Sequence, residues 1–155
     1  MITSLKEILT IRNICTQKKQ KVIFTNGCFD ILHSGHCSYL NIAKKFGDIM
    51  IVGLNSDDSV RKLKGNTRPI NKQEDRAYVL SSLRSVDYVV LFEEDTPLDL
   101  ITAILPDILI KGNDYEICDI AGADVVLKNG GDVITIPLVE GQSTTNTINK
   151  INNQY

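Results

Sequence analysis

Short apolar runs alternate along this chain with stretches whose apolar residues fall three and four apart. Runs at 22–25, 48–54, 88–92, 108–111 and 133–136 are rich in Val, Ile and Leu with little polar alternation. Such runs fit strands buried on both faces, as in a parallel sheet. Helical spacing appears over 4–17 (Leu5, Ile8, Leu9, Arg12), and from Tyr39 through Leu40, Ala43 and Phe46 to a stop at Gly47. Asn55 and Ser56 can cap a short helix ending in Arg61, Lys62 and Lys64. Asn71 and Glu74 have capping-box spacing ahead of Ala77, Leu80 and Leu83. Thr96 and Pro97 open a further helix to about 105, 120–128 is another, and a last one starts near Ser143. Five strands alternating with helices specify βαβ units with right-handed crossovers. The chain therefore reads as one α/β domain, 1–155, with an N-terminal helix over about 2–18 and a core over about 21–152.

The stretch at 24–36, FTNGCFDILHSGH, carries the candidate chemistry. It joins the first strand to a helix, so His33, Ser34, Gly35 and His36 sit at a helix start. Ser34 is a suitable N-cap there, and Gly35 lets a ligand approach the backbone. Unpaired N–H groups and the helix dipole at such a start favour an anion. Two imidazoles three positions apart face the same way and can donate to one phosphate. In open parallel sheets ligands bind beyond the carboxyl ends of the strands, where the strand order reverses. That rule gathers the turn after Thr25, the loop after residue 54 and the segment 111–114 around one crevice.

A chain of 155 residues with a formal net charge of −2 has no global attraction for nucleic acid. No apolar run approaches the roughly 20 residues of a membrane span. Residues 1–13 are interrupted by Lys6, Glu7 and Arg12 and do not read as a signal peptide, so a cytoplasmic location is expected. Cys15, Cys28, Cys37 and Cys118 form no CxxC pair and read as reduced, mostly buried thiols. His36 and Cys37 diverge on a helix, against a zinc site built with Cys28 and His33.

GCFDILHSGH resembles the GxFDxxHxGH signature of the nucleotidyltransferase superfamily. LKGNTRPIN (63–71), FEEDTP (92–97), ILPDILIKGNDY (104–115) and EGQSTTN (140–146) are similar to one branch, the heptose 1-phosphate adenylyltransferases, found alone or as the C-terminal half of a bifunctional kinase–adenylyltransferase. The resemblance implies a Rossmann-like three-layer α/β/α fold with a five-stranded parallel sheet in the order 3-2-1-4-5. It implies transfer of AMP from ATP to a heptose 1-phosphate, with Mg2+ accompanying the ATP, for lipopolysaccharide core precursors. A homodimer without nucleic-acid or membrane partners is implied too.

On that resemblance His33, His36 and Lys64 are the catalytic residues. Thr25, Asn26, Gly27, Phe29, Gly35, Lys111, Gly112, Asp114, Ser143, Thr144 and Thr145 bind the nucleotide. Asp30, Asn55, Arg68, Arg76 and Arg84 meet the substrate, with Asp30 the one candidate protein ligand for a metal. Where the glycerol-phosphate cytidylyltransferases carry an arginine before their STT motif, Leu138 stands here, which disfavours cytidylyl transfer. Cys37, Asn113 and Gln142 also depart from the heptose branch, and Asn113 is expected beside the nucleotide. Alternatives are a CTP- or GTP-dependent sugar- or polyol-phosphate enzyme, and a nucleotide-binding regulator without turnover. An aminoacyl-tRNA synthetase fragment lacks support, since no KMSKS-like loop is present.

Overall fold

A computed structural model describes residues 1–114, 116–139 and 141–153. Tyr115 and Glu140, at the edges of two of the motifs above, lie outside the described residues, as do Gln154 and Tyr155. The elements in chain order are β1 (Ile2–Thr3), α1 (Leu5–Gln17), β2 (Val22–Gly27), α2 (Ser34–Ala43), β3 (Ile49–Asn55), α3 (Asp57–Lys64), α4 (Gln73–Ser81), β4 (Tyr88–Phe92), α5 (Leu98–Ile104), β5 (Ile108–Gly112), α6 (Ala123–Lys128), β6 (Asp132–Ile136) and α7 (Thr144–Asn152). Short 3₁₀ turns occupy Lys44–Phe46 and Ile117–Asp119.

The expected parallel sheet is present, but it has six strands, not five, in the order β1-β4-β3-β2-β5-β6. The added strand is β1, whose Ile2 and Thr3 pair in parallel with Val89 and Val90 on the outer edge of β4. Expectation had placed residue 2 onward in a helix. The helix cannot reach back that far because Ser4 caps α1: its Oγ accepts from the Glu7 N–H (3.3 Å), and the Glu7 carboxylate accepts from the Ser4 N–H (2.8 Å). The five anticipated strands keep the order 3-2-1-4-5 among themselves, with β2 as their central strand.

Two apolar layers sandwich the sheet, because alternate residues of each buried strand point to opposite faces. Ile23, Met50, Val52, Leu54, Val89, Ile108 and Ile110 pack with Leu40 and Ala43 of α2 and Ala77 and Leu80 of α4. Phe24, Ile51, Val90 and Leu109 pack on the other face with Ile8 of α1, Ile101 and Ile104 of α5, and Val126 of α6. This is the three-layer α/β/α arrangement, and it brings the C-terminal ends of β2, β3, β4 and β5 to one rim.

Three predicted caps are corrected. His33, not Ser34, is the N-cap residue of α2, without a side-chain cap bond. The N-cap of α4 is Lys72, and Asn71 takes part in no capping box. Its side chain instead donates to the Asp30 carbonyl (2.6 Å). Pro97 is the N-cap of α5, one residue before the helix proper. Of the four free thiols only Cys15 is buried; Cys28 and Cys37 are half-buried and Cys118 is exposed, so the expectation of mostly buried thiols is also corrected.

Candidate active site

A cavity of about 580 Å³ opens at that rim, large enough for a nucleotide. At its floor the chain leaves β2 through Gly27 and Cys28 and turns at Phe29, whose φ of 44° lies in the left-handed region. Phe29 is buried, and its ring lies 5.2 Å from that of His36. His33 and His36 stack, with ring centroids 3.9 Å apart and planes 25° from parallel. The anticipated shared direction of the two imidazoles is thus present. Gly35 makes room for the stack, since a Cβ there would stand 3.0 Å from the His33 ring and 3.0 Å from Gln142.

Nδ1 of His33, Nδ1 of His36 and Oδ1 of Asn26 are buried without hydrogen-bond partners. A buried polar atom without a partner calls for one, and a ligand in the adjoining cavity can supply it. Burial pushes His36 down to about 4, with a smaller push from neighbouring His33, and burial also lowers His33. Both rings are therefore neutral at pH 7 in the free protein. Between about pH 6.5 and 4 the unfolded chain binds a proton that folded His36 refuses, so stability falls as pH drops through that window. A bound polyphosphate reverses the preference, because a nearby anion favours the charged imidazole. Binding of MgATP at pH 6.0 should accordingly take up a fraction of a proton. Calorimetry in two buffers of different ionisation enthalpy measures it, and zero uptake would remove the phosphate-facing role of the pair.

A second helix start converges on the first. Ser143 caps α7 by accepting from the Asn146 N–H (3.0 Å), and Thr144 Oγ1 donates to the Ile31 carbonyl (3.3 Å), tying α7 to the loop before α2. Ser143, Thr144 and Thr145 all border the cavity. On the β5 side Lys111, Gly112 and Asp114 line it, and burial lowers Lys111 to about 8, partly opposed by Asp114 and Cys28. Gly112 leaves room there: a Cβ would sit 2.5 Å from Asp114 Oδ1 and 3.1 Å from Leu138, so both side chains would have to shift. On the β3 side Asn55, Lys64 and Arg68 line it, Lys64 exposed at the end of α3 and Asn55 donating to Ser59 Oγ (2.9 Å).

Asp30, Thr25, Arg76 and Arg84 depart from expectation. Asp30 borders the cavity, but its carboxylate accepts from Arg68 Nε (2.6 Å) and from the N–H groups of Ile70 (2.8 Å) and Asn71 (2.9 Å). Burial alone would raise this carboxyl; those bonds outweigh burial and hold it below the ordinary carboxylate range. It latches the 65–71 loop and does not present itself as a metal ligand. Thr25 is fully buried and does not line the cavity; its Oγ1 and the hydroxyl of Tyr39, which does, share a hydrogen bond (2.8 Å). Arg76 is buried and donates to the Cys28 carbonyl (2.6 Å), the Asn71 carbonyl (3.0 Å) and Asp57 (2.8 Å). It holds loops together and does not line the cavity. Arg84 is exposed beyond α4 and does not line the cavity either.

Asn113 does not line the cavity; its Oδ1 accepts from the Leu138 N–H (3.3 Å). Residues not anticipated as site residues also border it, among them Tyr39, Asp95, Thr96, Ile120 and Leu138. The motif FEEDTP was the available signal for Asp95 and Thr96.

Residues 24–147 match the cytidylyltransferase-like family. The chain is 57% identical over 148 residues to the bifunctional protein HldE of Campylobacter concisus, covering 95% of this chain and 30% of that protein. It is 62% identical over 128 residues to the bifunctional protein HldE of Mesorhizobium japonicum, covering 83% and 26%. The chain thus spans under a third of the length of these curated relatives. Among solved structures it is similar to the lipopolysaccharide core biosynthesis protein of Thermoplasma volcanium, with a TM-score of 0.62 and 28% identity over 79% of this chain and 99% of that one.

Proposed function

Because this chain belongs to the cytidylyltransferase-like family, we propose that it transfers AMP from ATP to a heptose 1-phosphate, giving ADP-heptose and pyrophosphate for lipopolysaccharide core precursors. The observation that carries the reading is the stacked pair His33 and His36 at the start of α2, with unpartnered buried nitrogens beside a second helix start. The branch rests on the motif resemblance and on relatives of the bifunctional HldE type, and the Thermoplasma volcanium neighbour is named for lipopolysaccharide core biosynthesis.

In this reading an oxygen of the acceptor phosphate attacks the α-phosphorus of ATP. A new P–O bond forms, the α–β anhydride bond breaks, and pyrophosphate departs with its electron pair. The nucleophile arrives already ionised, so the protein supplies alignment and charge stabilisation, not a general base. His33, His36 and the N-terminus of α7 meet the triphosphate, Lys64 meets the acceptor phosphate from the end of α3, and Lys111, Gly112 and Asp114 hold the nucleoside. Magnesium would arrive with ATP as part of the substrate and would supply positive charge to its phosphates. Among the described residues no three His, Cys, Asp or Glu side chains group as a metal site.

The reading extends to a cytoplasmic homodimer; among the described residues no helix is long and apolar enough to cross a membrane. Light scattering that returned a monomer mass would remove the dimer. Pyrophosphate release is the test of function, assayed with D-glycero-β-D-manno-heptose 1-phosphate, magnesium and each of ATP, CTP and GTP. Release with ATP alone is expected. Release with another nucleotide would reassign the base, and none with any nucleotide would overturn the acceptor.

A further inference from the structure

Asp95, Thr96 and Pro97, in the connection from β4 to α5, border the cavity on the side away from Lys111 and Asp114. The sheet order sets the separation. β4 lies three strand spacings from β5, with β3 and β2 between them, about 14 Å at ~4.8 Å per spacing. The histidines follow β2, one of the strands between, so two molecules can meet end to end across them.

The β4–α5 connection is fixed to its neighbours. Asn55 donates to Ser59 Oγ (2.9 Å), and Ser59 Oγ donates in turn to the Glu94 carbonyl (3.2 Å). Lys62 Nζ pairs with Asp95 Oδ1 (3.1 Å), and Pro97 is buried. Asp95 and Thr96 are exposed at the cavity edge. A carboxylate is a poor neighbour for a triphosphate, yet it is a strong acceptor for hydroxyl groups. Lys64, at the end of α3, and Arg68, in the connection after it, also border the cavity and supply positive charge for a phosphate, Arg68 through the part of its guanidinium beyond the Nε paired with Asp30.

We propose that Asp95, with Thr96 beside it, binds hydroxyl groups of the acceptor sugar while Lys64 and Arg68 face that sugar's phosphate. The proposal rests on the sugar-phosphate reading above and names the wall that selects the sugar. Asp95→Asn keeps the volume and removes the charge and one acceptor. It should raise KM for heptose 1-phosphate about 10- to 100-fold. Its Kd for MgATP, measured calorimetrically without acceptor, should stay within about twofold of the wild-type value. An unchanged acceptor KM, beside a wild-type enzyme that uses heptose 1-phosphate, overturns the proposal while leaving the function intact. A matching loss of MgATP affinity overturns it too, because Asp95 would then serve the loop's structure or the nucleotide. Wild-type inactivity towards heptose 1-phosphate overturns the functional reading itself, and the sugar wall with it.

Discussion

Replacing His36 with alanine should lower kcat for pyrophosphate release about 100- to 1,000-fold, the usual cost of removing one donor aimed at developing charge. The expectation follows from placement. His36 lies on the first turn of α2, stacked on His33 and against Phe29, with a buried nitrogen that has no protein partner. In the proposed reaction charge gathers on the departing pyrophosphate as the α–β bond lengthens, and a preorganised donor in a shielded cavity would meet it with little reorganisation. The KM for ATP should move much less, since the interaction strengthens in the transition state. The same kinetics on His36→Gln, together with the circular dichroism of both variants, separate a lost donor from a collapsed site. A folded His36→Ala enzyme with wild-type kcat would eliminate the role.

The second large effect concerns stability. Arg76→Met should destabilise the fold by about 3 kcal/mol, the low end for breaking a buried ion pair. The Arg76 side chain is fully buried, and its partner Asp57 is partly exposed and can rehydrate. The carbonyls of Cys28 and Asn71 lose their donor in the variant, and both belong to loops that border the cavity. Lysine should rescue poorly, because one ammonium cannot reproduce the planar fork that reaches three acceptors. Urea denaturation of the wild type and both variants measures the loss. Midpoints that coincide would show that the three bonds contribute nothing net.

Much of this molecule was readable from its pattern, and the failures share a cause. The apolar runs of β2, β3, β4 and β5 announced themselves because each is largely buried, the edge strand β6 less so, and the order of the five among themselves follows the superfamily resemblance. β1 could not be seen, since two residues have no period and its pairing partner lies in β4, far along the chain. The histidine pair was legible because i and i+3 on a helix start is local geometry. Asp30 and Arg76 were assigned to substrate because a charged residue near a motif reads as a ligand. Only the fold reveals that Arg68, Ile70 and Asn71 already engage the Asp30 carboxylate, and that two loops and the start of α3 engage the Arg76 guanidinium. Asn71 shows the same competition at smaller scale: its spacing to Glu74 suits a cap, but a tertiary partner at Asp30 claims it.

Asp107, just ahead of β5, accepts from Arg12 Nη2 (3.0 Å) and from the Val22 N–H (2.7 Å), while its own N–H donates to the Val22 carbonyl (2.9 Å). One carboxylate thereby fastens α1 and the start of β2 to a segment 85 and more residues downstream. Contacts of such long range carry a large loop-closure cost before they return any stabilisation, which slows folding. During synthesis α1 and β2 must wait, without this anchor, until the 85 residues after Val22, up to Asp107, have been made. The order of the chain thus completes the sheet beneath the histidine pair only after β2 and β5, neighbours in space but far apart in sequence, have met.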